Sequence, residues 1–125
     1  MQYSEFVKRV AEGAGFDSTE EADRAATATL SVLGERLKGG EPKDAGAQLP
    51  PELADAIGFR GPGDIFDLTE FYRRVAEREG PRTLLTDAQW HAAAVMEVLL
   101  EAVSPGERDD ILAQLPKEYA PLLPT

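Results

Sequence analysis

His91 is the side chain best suited to acid–base chemistry, because it is the only histidine and an unperturbed imidazole changes its charge near neutral pH. A catalytic histidine usually has an acidic partner. On a helix through His91 the only acidic residue four positions away is Asp87, and that position suits the first turn of the same helix. The pattern therefore favours a helical histidine of no special role, with general acid–base catalysis as the alternative.

Other patterns of reactive residues are missing from the sequence. The chain has no cysteine, which excludes disulfides, thiolate metal sites and cysteine nucleophiles. It has no His-Glu-x-x-His, calcium-loop, phosphate-loop or Gly-x-Ser-x-Gly motif. Two acidic clusters lie at expected helix starts, where the helix dipole accounts for them, so we predict solvated surfaces. We predict no catalytic residue, cofactor or metal ligand and favour a non-enzymatic protein. The clusters are Glu20, Glu21 and Asp23, and Glu107, Asp109 and Asp110.

One local group of arginines surrounds an expected helix and the segment after it. An arginine cluster can bind a phosphate or an acidic partner. Several glutamates share this stretch, and Glu70 with Arg74 has the spacing of a favourable helical ion pair. We therefore predict that the surface neutralises itself. The arginines are Arg73, Arg74, Arg78 and Arg82, and the nearby glutamates are Glu70, Glu77 and Glu79.

The net charge limits the kinds of partner. The chain carries 13 basic and 23 acidic residues, a formal charge of −10. Nucleic acids and anionic membranes attract basic surfaces, so we expect neither as a partner. No apolar run approaches 18 residues, and no basic and apolar leader opens the chain. The expected location is the cytoplasm.

The elements that must position these residues come in two copies. When residues 32–54 are aligned with 98–120, 12 of 23 positions are identical. We predict two tandem pseudo-symmetric repeats, at about 1–60 and 67–125, joined by a hinge at about 58–66. A half of this size has a marginal core. The repeats should therefore share one core in a single helical domain spanning residues 1–125.

Helical spacing of apolar residues and paired cap residues predict eight helices, two of them long, and an all-α fold. No segment alternates polar and apolar residues over a length that would predict a strand. The motif Gln-Leu-Pro-x-Glu occurs at Gln48 and again at Gln114. Its leucines, Leu49 and Leu115, are predicted to fill the core while glutamine or glutamate satisfies free backbone groups; the alternative is a recognition loop. The predicted cap pairs are Ser18 with Glu21, Asp67 with Glu70, Thr86 with Gln89, and Ser104 with Glu107.

Several of these features together resemble a known family, domain of unknown function 2267. The resemblance rests on Phe71-x-x-Arg74-Val75-Ala76, on the long helix around Val95, and on the ending 104–119 with its Gln-Leu-Pro motif. It extends over nearly the whole chain. It implies a small, soluble, helical prokaryotic protein of unassigned activity, with no catalytic residues to transfer.

The function most consistent with these patterns is a non-catalytic interaction module that binds another protein or a second copy. The second copy of the repeat has gained Trp90, His91, Arg82, Leu84 and Leu85 in one neighbourhood, and they form the candidate partner-binding surface. Tryptophan is common at binding hot spots, but packing of Trp90 within the chain is the favoured interpretation.

The alternative function is a small-ligand-binding domain or enzyme with a pocket between the repeats. We expect such a pocket to be lined by His91, Arg60 or Arg82.

Overall fold

The computed structural model describes residues 1–124, and within them the fold is helical, as the sequence predicted. Seven α-helices are followed by a 3₁₀ helix, and two very short strands interrupt the series. The α-helices are α1 (Tyr3–Ala14), α2 (Thr19–Arg36), α3 (Glu41–Gly46), α4 (Pro51–Ile57), α5 (Leu68–Glu79), α6 (Leu85–Ala102) and α7 (Pro105–Ala113); the 3₁₀ helix is Lys117–Leu122, and the strands are β1 (Lys38–Gly39) and β2 (Gly61–Pro62).

The two long helices, α2 and α6, form the centre of the fold. They contact each other, and each of the shorter helices α1 and α5 contacts both of them. The buried apolar side chains of these four helices belong to one continuous core. Helices α1 and α5 have 12 residues each, and α2 and α6 have 18 each.

The short strands correct the prediction that the chain contains no strand and that its hinge is only a loop. Lys38 pairs with Pro62 and Gly39 with Gly61 in an antiparallel ladder. Two residues are too few to show a polar and apolar alternation, so the sequence carried no signal for them. The pairing fastens the segment between α4 and α5 to the end of α2.

A glycine in α2 permits a close approach of α4. A Cβ atom at Gly34 would lie 1.9 Å from the backbone oxygen of Ile57. Any side chain at position 34 would therefore collide with the last residue of α4. Glycine is a poor helix former, and here the contact between helices accounts for its presence.

Three of the four predicted caps are confirmed. The side chains of Ser18, Asp67 and Ser104 each accept a hydrogen bond from the backbone N–H three residues later. The cap predicted at Thr86 is wrong. The N-cap residue of α6 is Leu84, two residues earlier, and the Asp87 carboxylate accepts a hydrogen bond from the N–H of Leu84.

The Gln-Leu-Pro motifs have the predicted structural role. Leu49 is 7% exposed and Leu115 is 9% exposed, so both leucines are buried. Oε1 of Gln48 accepts a hydrogen bond from the Ser104 N–H, and Oε1 of Gln114 accepts one from the Lys38 N–H. The glutamines thus satisfy free backbone groups, and each does so in the other half of the chain.

Candidate functional site

Trp90 lies on the solvent side of α6, and the prediction that it packs within the chain is wrong. Its side chain is 72% exposed. Ala88 and Ala92 next to it are fully buried, so the helix presents them to the core and turns Trp90 outward. Leu85, in the first turn of the same helix, is also 40% exposed.

The other residues of the candidate surface surround the start of the same helix. Leu84, the N-cap residue of α6, is 65% exposed, and Arg82 is also exposed. We call Leu84, Leu85 and Trp90, with Arg82, the α6 surface. Within the first two turns of one helix it presents three large apolar side chains to solvent.

His91 does not share that exposure, and its acidic partner is Glu79, not Asp87, the acidic residue four positions away. Its Nδ1 atom lies 2.6 Å and 3.0 Å from the two carboxylate oxygens of Glu79. The Glu79 side chain is only 5% exposed. The imidazole ring also packs on Phe16, with ring centroids 4.6 Å apart. Glu79 is the last residue of α5, so neither helical spacing nor sequence distance could reveal the pair.

The His91–Glu79 pair borders a cavity of about 220 Å³. Its walls come from both halves of the chain. Of the residues predicted to line a pocket there, His91 does so, whereas Arg60 and Arg82 are not in the wall. A wider groove of about 500 Å³ lies along α2 and shares Arg24 with the cavity. The remaining residues of the cavity wall are Phe16, Glu21, Glu79 and Thr83.

The arginine cluster is largely neutralised by carboxylates, as predicted. Arg73 pairs with Glu70, and Arg74 pairs with Glu70 and with Glu35 of α2 at 2.9 Å. Arg78 also pairs with Glu35, at 2.6 Å. Hydrogen bonds from Arg73 and Arg74 lower the pKa of the Glu70 carboxyl to about 2.

A carboxylate cluster with one buried member, Glu107, joins α3 to α7, and the prediction of a solvated surface at Glu107 is wrong. Glu107 is 6% exposed, whereas Asp109 and Asp110 are exposed as expected. One carboxylate oxygen from each of Glu41, Glu107 and Asp110 lies within 4.8 Å of the others. We call these three residues the carboxylate cluster. The only sequence feature that related these residues was the internal alignment of 32–54 with 98–120, in which Glu41 pairs with Glu107.

The carboxylate cluster brings three acidic side chains together, and one of them, Glu107, is buried. Burial, a side-chain hydrogen bond with Glu41 and the nearby negative charges of Glu41, Asp44 and Asp110 together raise the pKa of Glu107 to about 8. Oε1 of Glu41 and Oε1 of Glu107 are shielded from solvent and have no hydrogen-bond donor within residues 1–124.

A comparison with known protein families confirms the resemblance to domain of unknown function 2267. The model of an uncharacterised conserved protein family, DUF2267, matches residues 3–122. The chain belongs to the DUF2267 family. The match includes the α6 surface, the His91–Glu79 pair and the carboxylate cluster of this DUF2267 protein. A comparison with curated proteins gave no match.

Within residues 1–124, no helix combines the length and the apolar character needed to cross a membrane.

Proposed function

We propose that this DUF2267 protein is a non-catalytic interaction module that binds another protein through the α6 surface. The observation that carries the proposal is the 72% exposure of Trp90, the only tryptophan. A large aromatic side chain gains more from burial in a partner than most residues, and tryptophan is enriched at binding hot spots. Leu84 and Leu85 extend the apolar area beside it.

The charge of the chain favours a basic partner over a second copy. Two copies would each carry −10 and repel each other. Several arginines that could offset this charge, such as Arg9, Arg73 and Arg74, are already paired with carboxylates of the same chain. The proposed partner is therefore a different protein with an apolar pocket and a positively charged rim, located in the cytoplasm with this chain.

The test is site-directed photo-crosslinking in the native host, with the photoreactive residue at position 86 beside the α6 surface. We expect a discrete crosslinked protein whose yield falls at least about tenfold in Trp90→Ala, as for loss of a hot spot. Ile65→Ala is the matched control, because Ile65 is 91% exposed on a different part of the molecule. Crosslinking that is equally strong in Trp90→Ala, or equally weak in both variants, would contradict the proposal.

A second candidate function is small-ligand binding at the cavity beside His91. The specific observation is the buried Glu79 carboxylate on Nδ1, an arrangement that orients an imidazole toward a ligand. As the only histidine, His91 gives single ring signals in proton NMR. Saturable shifts of those signals on titration with phosphate or small carboxylates would favour this function. Unchanged signals would leave the pair with a structural role.

We also propose that the two halves are pseudo-symmetric repeats within one helical domain. The support is a set of matching contacts. Arg9 bonds Glu5 of its own helix and Glu101 of α6. Arg74 bonds Glu70 of its own helix and Glu35 of α2. The glutamine hydrogen bonds form a second matched pair, because Gln48 and Gln114 are 66 positions apart and so are their donors, Lys38 and Ser104.

A further inference from the structure

The carboxylate cluster has no cation to balance it within the described chain. None of the ion pairs formed by residues 1–124 includes Glu41, Glu107 or Asp110. Glu107 is more than nine-tenths buried, and its Oε1 atom receives no hydrogen bond. A buried carboxylate oxygen without a donor or a counter-ion is costly. A bound ligand of positive charge would remove that cost.

The oxygens of the carboxylate cluster are close enough to share one metal ion. Ca²⁺ takes its oxygen ligands at about 2.3–2.6 Å, so oxygens on opposite sides of one ion are about 5 Å apart. The oxygens of the carboxylate cluster lie within 4.8 Å of one another. One ion of this size can therefore contact all three carboxylates with little movement of the side chains. Mg²⁺ usually keeps several waters and binds one or two carboxylates, so a site of three carboxylates favours Ca²⁺.

We propose that Glu41, Glu107 and Asp110 bind a divalent cation of the hard, oxygen-preferring class, with Ca²⁺ favoured over Mg²⁺. Glu107 supplies the buried ligand. Asp110 is exposed, so water can reach the ion from that side and complete its coordination. Because Glu41 belongs to α3 and the other two residues to α7, the ion would hold the two halves of the chain together. The site goes beyond the proposed partner binding and does not depend on it.

The test is calorimetric titration of the metal-free chain with CaCl₂ at constant ionic strength. Constant ionic strength is needed because any salt screens a chain of charge −10. We expect saturable binding of one ion per chain, with an affinity that falls at least about tenfold in Glu107→Gln, since affinity follows the number of charged ligands. Competition with MgCl₂ measures the preference between the two ions.

Asp109→Asn is the matched control, because Asp109 is an exposed acidic residue of the same helix outside the cluster. We expect it to bind Ca²⁺ as the parent does. If Glu107→Gln fails to fold, Asp110→Asn replaces it, since an exposed residue tolerates the change. No binding to the parent, or equal binding to the parent and to the cluster variants, would overturn the proposal. In the first of these outcomes the buried carboxyls would hold a proton instead.

Discussion

The side-chain oxygen Oε1 of Gln48 accepts a hydrogen bond of 2.6 Å from the backbone N–H of Ser104. Ser104 is the N-cap residue of α7, where backbone donors lack partners within the helix. Gln114 accepts the corresponding hydrogen bond, of 2.7 Å, from Lys38. Each half of the chain thus provides an acceptor for a backbone N–H of the other half.

Loss of either glutamine should weaken the association of the halves. We expect Gln48→Ala and Gln114→Ala each to lower the free energy of unfolding by about 1 kcal/mol, the net value of one hydrogen bond. Urea unfolding measures this. Gln89→Ala is the control: Gln89 is exposed on α6, and alanine is a good helix former, so that variant should not lose stability. Equal stability of all three variants would contradict a role for the two bonds.

The motif leucines should be important for stability. Leu49→Ala and Leu115→Ala are each expected to lower the free energy of unfolding by about 2–5 kcal/mol, the range for buried leucines. Leu84→Ala is the matched control, because Leu84 is 65% exposed and should change stability little. Chemical denaturation followed by circular dichroism measures the free energy of unfolding of each variant. A midpoint for Leu49→Ala like that of the parent would revive the recognition-loop interpretation.

Gly34→Ala should destabilise the protein even though alanine favours helices. The new methyl group would lie 1.9 Å from the Ile57 oxygen, so α4 must move away from α2. We expect a loss of about 1–3 kcal/mol, typical of overpacking. Gly106→Ala is the control, because no atom lies within 4 Å of its Cβ position. A Gly34→Ala variant as stable as the parent would mean that the contact relaxes freely.

The free energy of unfolding should fall at acid pH as the Glu70 carboxylate becomes protonated. The folded pKa of this carboxyl is lowered to about 2 from 4.5, mainly by hydrogen bonds from Arg73 and Arg74. The stabilisation is therefore present above about pH 4.5 and is lost as the pH falls towards 2. Glu70→Gln should be less stable than the parent at neutral pH, and the difference should shrink across this window.

Urea unfolding at several pH values measures the Glu70 effect. Glu12→Gln, an exposed glutamate of α1, serves as the control and should not alter the pH dependence. High salt should reduce the difference between Glu70→Gln and the parent, because the charges are exposed and screened. A difference that stays constant from neutral pH to pH 2 would show that the ion pairs do not link folding to protonation.

The first half of the chain should not fold alone. Helix α1 contacts α6, and α2 contacts α5 and α6, so residues 1–60 without the second half would leave a large apolar area in water. We expect this fragment to be unfolded or self-associated in circular dichroism and analytical ultracentrifugation. A monomeric fragment with a cooperative helical unfolding transition would contradict a core shared by the halves.

The sequence by itself determined the helices, most of their caps and the buried positions of Leu49 and Leu115. These features depend on neighbours within a turn or two, and helical periodicity and cap spacing record such neighbours directly. The internal alignment also paired Glu41 with Glu107. It gave no sign that the two carboxylates meet in space, since equal position in two copies does not specify distance.

Only the tertiary structure decided which residues meet across the halves. His91 has Glu79 as its partner because the end of α5 packs beside α6, and Glu107 meets Glu41 because α3 packs against α7. Trp90 is exposed because it lies on a different face of α6 from Ala88 and Ala92, which are buried in the core. Each outcome depends on how helices pack, and packing is set by the combined shape of many side chains. A short stretch of sequence does not contain that information.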